Sequence, residues 1–249
     1  MKKIILYIAL ASVLTSFFSC VSGYKIIENA LKNPDETYTL KIKYSQVDSL
    51  PKDIEKLTNL HTIYLYKNKL KYIPEEIGNL KNLETLVISG NQLKDIPASI
   101  GNCTKLKKLS FRANNLQYIP DEIGNLKELT ELDLQFNKLK ALPHSIGDLE
   151  NLRYLYLGNN QLKFIPSEIG QLKNLQYLMI GKNFLSYLPE EIGNLNLLLE
   201  LDIANSGRML EVPDAISDCR ALEYLYIDNS ITIPYSIIGS NPRLKLIVK

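Results

Sequence analysis

Apolar residues recur along this chain with a period of 23. From Pro143 the pattern reads Pro-x-x-Ile-Gly-x-Leu-x-x-Leu-x-x-Leu-x-Leu-x-x-Asn-x-Leu-x-x-Ile. Pro143, Ile146, Gly147, Leu149, Leu152, Leu155, Leu157, Asn160, Leu162 and Ile165 fill it, and Pro166 starts it again. Prolines stand at 51, 74, 97, 120, 143, 166 and 189, each 23 residues after the last; the steps to Pro213 and Pro234 are 24 and 21. Self-similarity at such a period marks a solenoid. Within each copy Leu155 and Leu157 alternate with Tyr154, Tyr156 and Gly158, the period-2 signature of a strand with one buried face. Connections of roughly 18 residues suit parallel pairing and rule out hairpins. A single copy cannot bury its apolar face alone, so the copies must stack.

The segment Leu152-x-x-Leu155-x-Leu157-x-x-Asn160-x-Leu162 resembles the leucine-rich-repeat signature, as do Leu129 to Leu139 and Leu175 to Leu185. The resemblance runs from about Thr39 to Lys249. Its Ile-Pro-x-Glu-Ile-Gly variant is similar to the 23-residue class of Ras-suppressor-like proteins and of many bacterial leucine-rich-repeat proteins. What this resemblance implies is an α/β solenoid: a leucine-rich-repeat horseshoe with a concave parallel β-sheet and short helical or 3-10 turns on the convex side. It also implies binding of other proteins, without catalysis.

The regular polar positions have structural duties. Asn68, Asn91, Asn114, Asn137, Asn160 and Asn183 stack one above the next, and their amides can satisfy backbone groups where each strand turns away. The prolines suit a first helical position. Glu76, Glu122, Glu168 and Glu191 suit the positive end of a short helical turn. Gly78, Gly101, Gly124, Gly147, Gly170 and Gly193 imply tight packing or a positive φ on the outer side. Cys103 and Cys219 each lie six residues after their proline, in a leucine slot, and read as small buried hydrophobes. Five repeats at about 4.8 Å separate them by more than about 20 Å, too far for a disulfide. Around Ala204 to Arg208 the repeat gains residues, a surface bulge or a binding loop, before Leu210 and Val212 resume the core pattern.

The ends differ from the array. Residues 1–19 have the layout of a secretory signal peptide, Lys2 and Lys3 followed by an apolar run from Ile4 to Phe18. Phe17-Phe18-Ser19-Cys20 resembles a bacterial lipoprotein signal, which implies lipidation at Cys20 and an exported outer-membrane or cell-surface lipoprotein held to the membrane by its lipid. Cleavage after Ser22 or Gly23 would instead release a soluble secreted protein. If residues 1–20 are not a signal, the reading becomes a cytoplasmic regulatory scaffold of the Ras-suppressor type. Residues 20–38 form a tether and N-terminal cap, with a short helix between Val21 and Asn33 ended by Pro34. Residues 39–249 hold about eight repeats with degenerate caps: Ser45 stands in the Asn slot, Ser217 and Ile238 in the Gly slot, and Leu244 to Val248 form a last strand.

Charge and chemistry narrow the partners. Loss of Lys2 and Lys3 takes the formal net charge from +2 to 2 − 2 = 0, which argues against nucleic acid. The two histidines, His61 and His144, stand far apart, and the sequence carries no phosphate loop, Cys-x-x-Cys or His-Glu-x-x-His. No cofactor, metal, small-molecule substrate or catalytic residue is expected. The free choice lies at residues 11, 13 and 15 after each proline, which face out of the concave sheet. Seven of the fourteen tyrosines beyond the signal fall there: Tyr64, Tyr66, Tyr154, Tyr156, Tyr177, Tyr224 and Tyr226. Tyrosine is enriched at interfaces. Tyr154, Tyr156 and Tyr177 with Met179 form the expected centre, flanked by Glu131 and Asp133 on one side and Glu200 and Asp202 on the other. An aromatic floor between acidic walls points to a protein ligand presenting apolar or basic side chains.

Overall fold

The computed structural model describes residues 23–207 and 210–249; the expected signal peptide and Cys20 lie outside them. Ten strands follow one another in chain order across one parallel sheet. They are β1 (Thr39–Lys43), β2 (Thr62–Tyr66), β3 (Thr85–Val87), β4 (Lys108–Ser110), β5 (Glu131–Asp133), β6 (Tyr154–Tyr156), β7 (Tyr177–Met179), β8 (Glu200–Asp202), β9 (Tyr224–Ile227) and β10 (Lys245–Val248). Their register copies the spacing of the prolines. Thr62 pairs with Thr85 and Tyr154 with Tyr177, a step of 23, whereas Glu200 pairs with Tyr224 and Tyr224 with Lys245. The inward residues of β1 to β9, such as Leu155 or Leu178, are buried, whereas β10 is exposed along its length.

After each of β1 to β8 the chain crosses to the outer side and makes a five-residue 3-10 turn, for example His144–Asp148 or Ser167–Gln171. The prolines stand one place earlier than expected. Pro143 is extended, with φ −69° and ψ 152°, and its carbonyl accepts the first turn bond from the Ile146 N–H at 3.1 Å. Proline therefore caps the turn from outside, where its fixed φ fits and its missing donor costs nothing. The glycines behind it answer a question the sequence left open. Gly147 is not left-handed; a Cβ there would lie 2.6 Å from the Glu168 carbonyl oxygen of the next turn. Close stacking of consecutive turns is what demands glycine. Positive φ falls instead on the residue before each ladder asparagine: Lys67, Gly90, Ala113, Phe136, Asn159 and Lys182. Only one of these is glycine, so the sequence does not advertise the bend.

The asparagine ladder is continuous. Asn137 Oδ1 accepts from the Leu116 N–H at 3.0 Å, and its Nδ2 donates to the carbonyls of Phe111 and Leu134 at 3.0 Å each. The Leu134 carbonyl also accepts from Asn160 at 3.0 Å, so neighbouring amides share acceptors. Ser45 and Ser206 stand in the same slot at the two ends. Cys103 and Cys219 are free and buried, and each thiol points at a carbonyl of the preceding repeat, Ile77 or Ile192, at 3.2 Å. Burial pushes them up to about 11 and about 12 respectively, which makes them poor nucleophiles.

Helical residues 23–32 cover the first coil, burying Ile27 and Ala30, and the Tyr24 hydroxyl donates to Asp48 at 2.5 Å. At the far end a short helix, Tyr235–Ser240, precedes β10. No described helix is long and apolar enough to cross a membrane.

Candidate functional site

The in-register stack decides which outward side chains meet. Tyr154 lies opposite Tyr177 and Tyr156 opposite Met179, with Glu131 and Asp133 one strand before and Glu200 and Asp202 one strand after. Adjacent strands sit at about 4.8 Å, close to a stacking distance. The Tyr154 and Tyr177 rings accordingly stack at 5.0 Å and 13°, and Tyr154 and Tyr156 lie 6.4 Å apart at 17°. All are half-buried. Burial, followed by the charge of Glu131, pushes the Tyr156 hydroxyl up, so it stays a neutral donor.

The tyrosines at the two ends of the sheet have a different environment. Lys67 lies over Tyr66 at 5.4 Å and over Tyr44 at 5.5 Å, Lys41 over Tyr64 at 5.6 Å. Tyr44, exposed and edge-on to Tyr66 at 5.5 Å, joins this cluster from outside the three expected slots. Tyr224 and Tyr226, 6.4 Å apart, lie under Lys245 at 4.9 Å and Lys249 at 4.2 Å. Among the described residues no cation covers Tyr154, Tyr156 or Tyr177. Within the tyrosines of the concave sheet, the central trio is the group without a cation over it.

The flanking carboxylates are engaged rather than bare. Lys108 Nζ donates to both Glu131 oxygens at 2.7 Å. Lys249 Nζ holds Asp202 at 2.6 Å, and the Tyr226 hydroxyl donates to Glu200 at 3.4 Å. Burial raises the Asp133 carboxyl, opposed by the Gln135 N–H at 3.1 Å and the charge of Arg112. Lys108 occupies the slot of Glu131 one repeat earlier, so that pair was readable from spacing. Lys249 reaches Asp202 across 47 residues, which no local pattern reveals.

Beside the trio the third outward row loses its side chains. Gly158, Gly181 and Ala204 follow Arg112 and Gln135 in that row. A trough of about 210 Å³ results, with Met179, Asp202 and Lys249 along it. A second hollow of about 400 Å³ opens between Arg112, Asp133, Tyr156 and Met179. Ser89, Ser110, Ala204 and Asp228, also in outward slots, are buried. No group of three or more His, Cys, Asp or Glu that could hold a metal occurs among the described residues.

A solenoid whose coils are locked by asparagine and packed by leucine, with one patterned inner sheet, defines a repeat scaffold. The chain belongs to the leucine-rich-repeat family: the family described as Leucine-rich repeat region matches residues 38–113 and 99–183, more than half of the chain. Among solved structures it is similar to a leucine-rich-repeat protein of Leptospira interrogans. Identity there is 28% over 89% of this chain and 74% of that one, with TM-score 0.62. The Arabidopsis receptor kinase HAESA, solved with the peptide hormone IDA and the co-receptor SERK1, matches at 26% identity and TM-score 0.68 over 85% of this chain. The ectodomain of the Arabidopsis receptor kinase GASSHO1/SCHENGEN3, in complex with CASPARIAN STRIP INTEGRITY FACTOR 2, matches at 27% and 0.66 over 84%. This chain spans 38% and 29% of those two plant receptors. No curated protein matches it.

Proposed function

We propose that this domain is a protein-binding module that seats a segment of a protein ligand on its concave sheet, centred on Tyr154, Tyr156 and Tyr177. The observation that carries this reading is the uncovered stacked trio, set beside a trough floored by backbone at Gly158 and Gly181. Aromatic rings offer contact area at low entropic cost, and a bare backbone floor lets a ligand chain approach closely. The complex of HAESA with the peptide hormone IDA supports the same use of the fold. Met179, Glu131, Asp133, Glu200 and Asp202 border the contact, while Tyr64, Tyr66, Tyr224 and Tyr226 extend it toward the ends. Because Lys108 and Lys249 already engage the acids, the ligand is held by apolar and aromatic contact more than by cationic side chains. The module is exported and anchored by a lipid on Cys20.

The test changes Tyr154, Tyr156 and Tyr177 together to Ala in a chain that still melts cooperatively. Affinity for a ligand captured by the unaltered domain falls by about 100-fold or more, since buried interface aromatics commonly contribute 2 kcal/mol or more each. Unchanged affinity refutes the site. Radiolabelled palmitate on the unaltered chain but not on Cys20→Ala tests the anchor; an unlabelled chain recovered in the cytoplasm refutes it.

A further inference from the structure

A further cleft lies away from the tyrosines, on the flank where the chain enters the outer turns. It holds about 750 Å³ and spans four successive coils from His144 to Asp214. Its floor is apolar: the exposed rings of Phe164 and Tyr187 over the buried Ile165, Leu188 and Val212, with Pro166, Pro189 and Pro213 between. Its rim is acidic, formed by Glu190, Glu191, Glu211 and Asp214.

The irregular repeat builds this cleft. Glu211 stands two residues before Pro213, in the slot that Phe164 and Tyr187 fill in the preceding repeats. An additional parallel bridge joins Tyr187 to Glu211, with the Leu188 N–H donating to the Glu211 carbonyl at 3.1 Å and the Glu211 N–H to Ser186 at 3.0 Å. That bridge sets the acid in register beside the ring. One slot earlier, lysines at Lys71, Lys94, Lys140 and Lys163, interrupted by Gln117, run along the same flank and give way to Ser186 and Leu210. No lysine or arginine lines the cleft, and Lys163 precedes Phe164 without lining it. Glu190, Glu191 and Glu211 form no ion pair among the described residues; Asp214 accepts from Ser236, and His144 is held by Glu168 at 2.9 Å.

We infer that this flank cleft docks a second protein segment, one carrying a lysine or arginine flanked by apolar side chains. Charge complementarity names the occupant. The alkyl stem of a long basic side chain covers apolar floor while its head meets Glu190, Glu191 and Glu211, which form no ion pair among the described residues. A carboxylate-bearing or purely apolar segment would leave three acids without a counter-charge. The cleft shares no residue with the tyrosine trio, so the two sites stand or fall separately.

A random heptapeptide phage library panned against the full chain tests this. Recovered peptides are expected to be enriched in Lys or Arg beside aliphatic, aromatic or proline residues. Measured as synthetic peptides, they bind about tenfold or more weakly to the double variant Glu190→Lys/Glu211→Lys, and weaken as NaCl rises from about 50 to about 500 mM. They bind the Tyr154/Tyr156/Tyr177→Ala chain unchanged. Should the reversed-charge chain fail to fold, Glu190→Gln/Glu211→Gln gives the same comparison. Peptides without basic residues, equal binding to the altered rim, or no recovered peptide would overturn the inference. So would a dimer of the unaltered chain on gel filtration that the rim variant abolishes, because the occupant would then be a second copy.

Discussion

Replacing Asn137 by Ala isolates what holds successive coils in register. The side chain is buried and makes four contacts: it accepts from the Leu116 N–H and its two amide hydrogens are shared among the Phe111 and Leu134 carbonyls, all at 3.0 Å, and the Gln135 carbonyl at 3.3 Å. Removing it does not strand all four partners. The Phe111 carbonyl keeps Asn114 at 2.9 Å, the Leu134 carbonyl keeps Asn160 at 3.0 Å, and the Gln135 carbonyl keeps the Ala113 N–H at 2.9 Å. Only the Leu116 N–H is orphaned, at about 1–3 kcal/mol, and each of the two amide hydrogens withdrawn from still-satisfied carbonyls adds about 0.5 kcal/mol. The expected loss is therefore about 2–4 kcal/mol. Asn151→Ala is the control, because its exposed amide makes one bond, to the Lys127 carbonyl at 2.8 Å, and should cost under about 1 kcal/mol. Asn137→Ser should fall between the two, since Ser206 fills the same slot and still donates to the Ile180 carbonyl at 2.9 Å. Equilibrium urea unfolding followed by far-UV circular dichroism measures all three, with the slope checked for constancy because repeat arrays can unfold in parts. If Asn137→Ala matched Asn151→Ala within about 0.5 kcal/mol, the ladder would not be what locks the coils.

Two further outcomes follow from the outer face. Gly147→Ala places a methyl 2.6 Å from the Glu168 carbonyl oxygen and 2.8 Å from its Cβ, so adjacent turns must part. The overpacking costs about 1–3 kcal/mol, and a melting temperature equal to that of the unaltered chain would contradict the close-stacking account. On the same face, the Glu168 hydrogen bond raises His144 from its ordinary 6.5, and the His144 hydrogen bond lowers Glu168 from 4.5. The histidine contribution is complete below 6.5 and fades as pH rises through the raised value. The glutamate contribution exists above 4.5 and fades as pH falls through the lowered one, so both act together between those limits. An NMR titration of the imidazole should show a value above 6.5 that Glu168→Gln returns to normal; no difference between the two chains would dissolve the pair.

The period of 23 made the solenoid legible because every coil needs the same apolar set to close on its neighbours. Leu152, Leu155 and Leu157 are read from the chain and are buried as read. Parallel pairing followed from spacing alone, down to the changed register at Tyr224 and Lys245. The duty of Asn137 was likewise visible, since a polar residue repeated inside an apolar pattern must satisfy backbone. By contrast, the conformation of the glycines was open. Gly147 and a left-handed glycine look alike in sequence, and only the 2.6 Å approach of the next turn separates them.

What the sequence determined by itself was the list of side chains facing into the concavity, because alternation along a strand is a local property. Which of them remain open was settled by the tertiary structure. Lys249 closes over Tyr226 and Asp202, and Lys67 over Tyr66, through contacts set by the stack and the path of the last strand. The flank cleft belongs to the same category. Four coils each contribute one piece of its wall, and no single repeat contains it. Periodicity encodes the coil, whereas charge cover and cavities arise from residues whose proximity is fixed only once the coils are stacked.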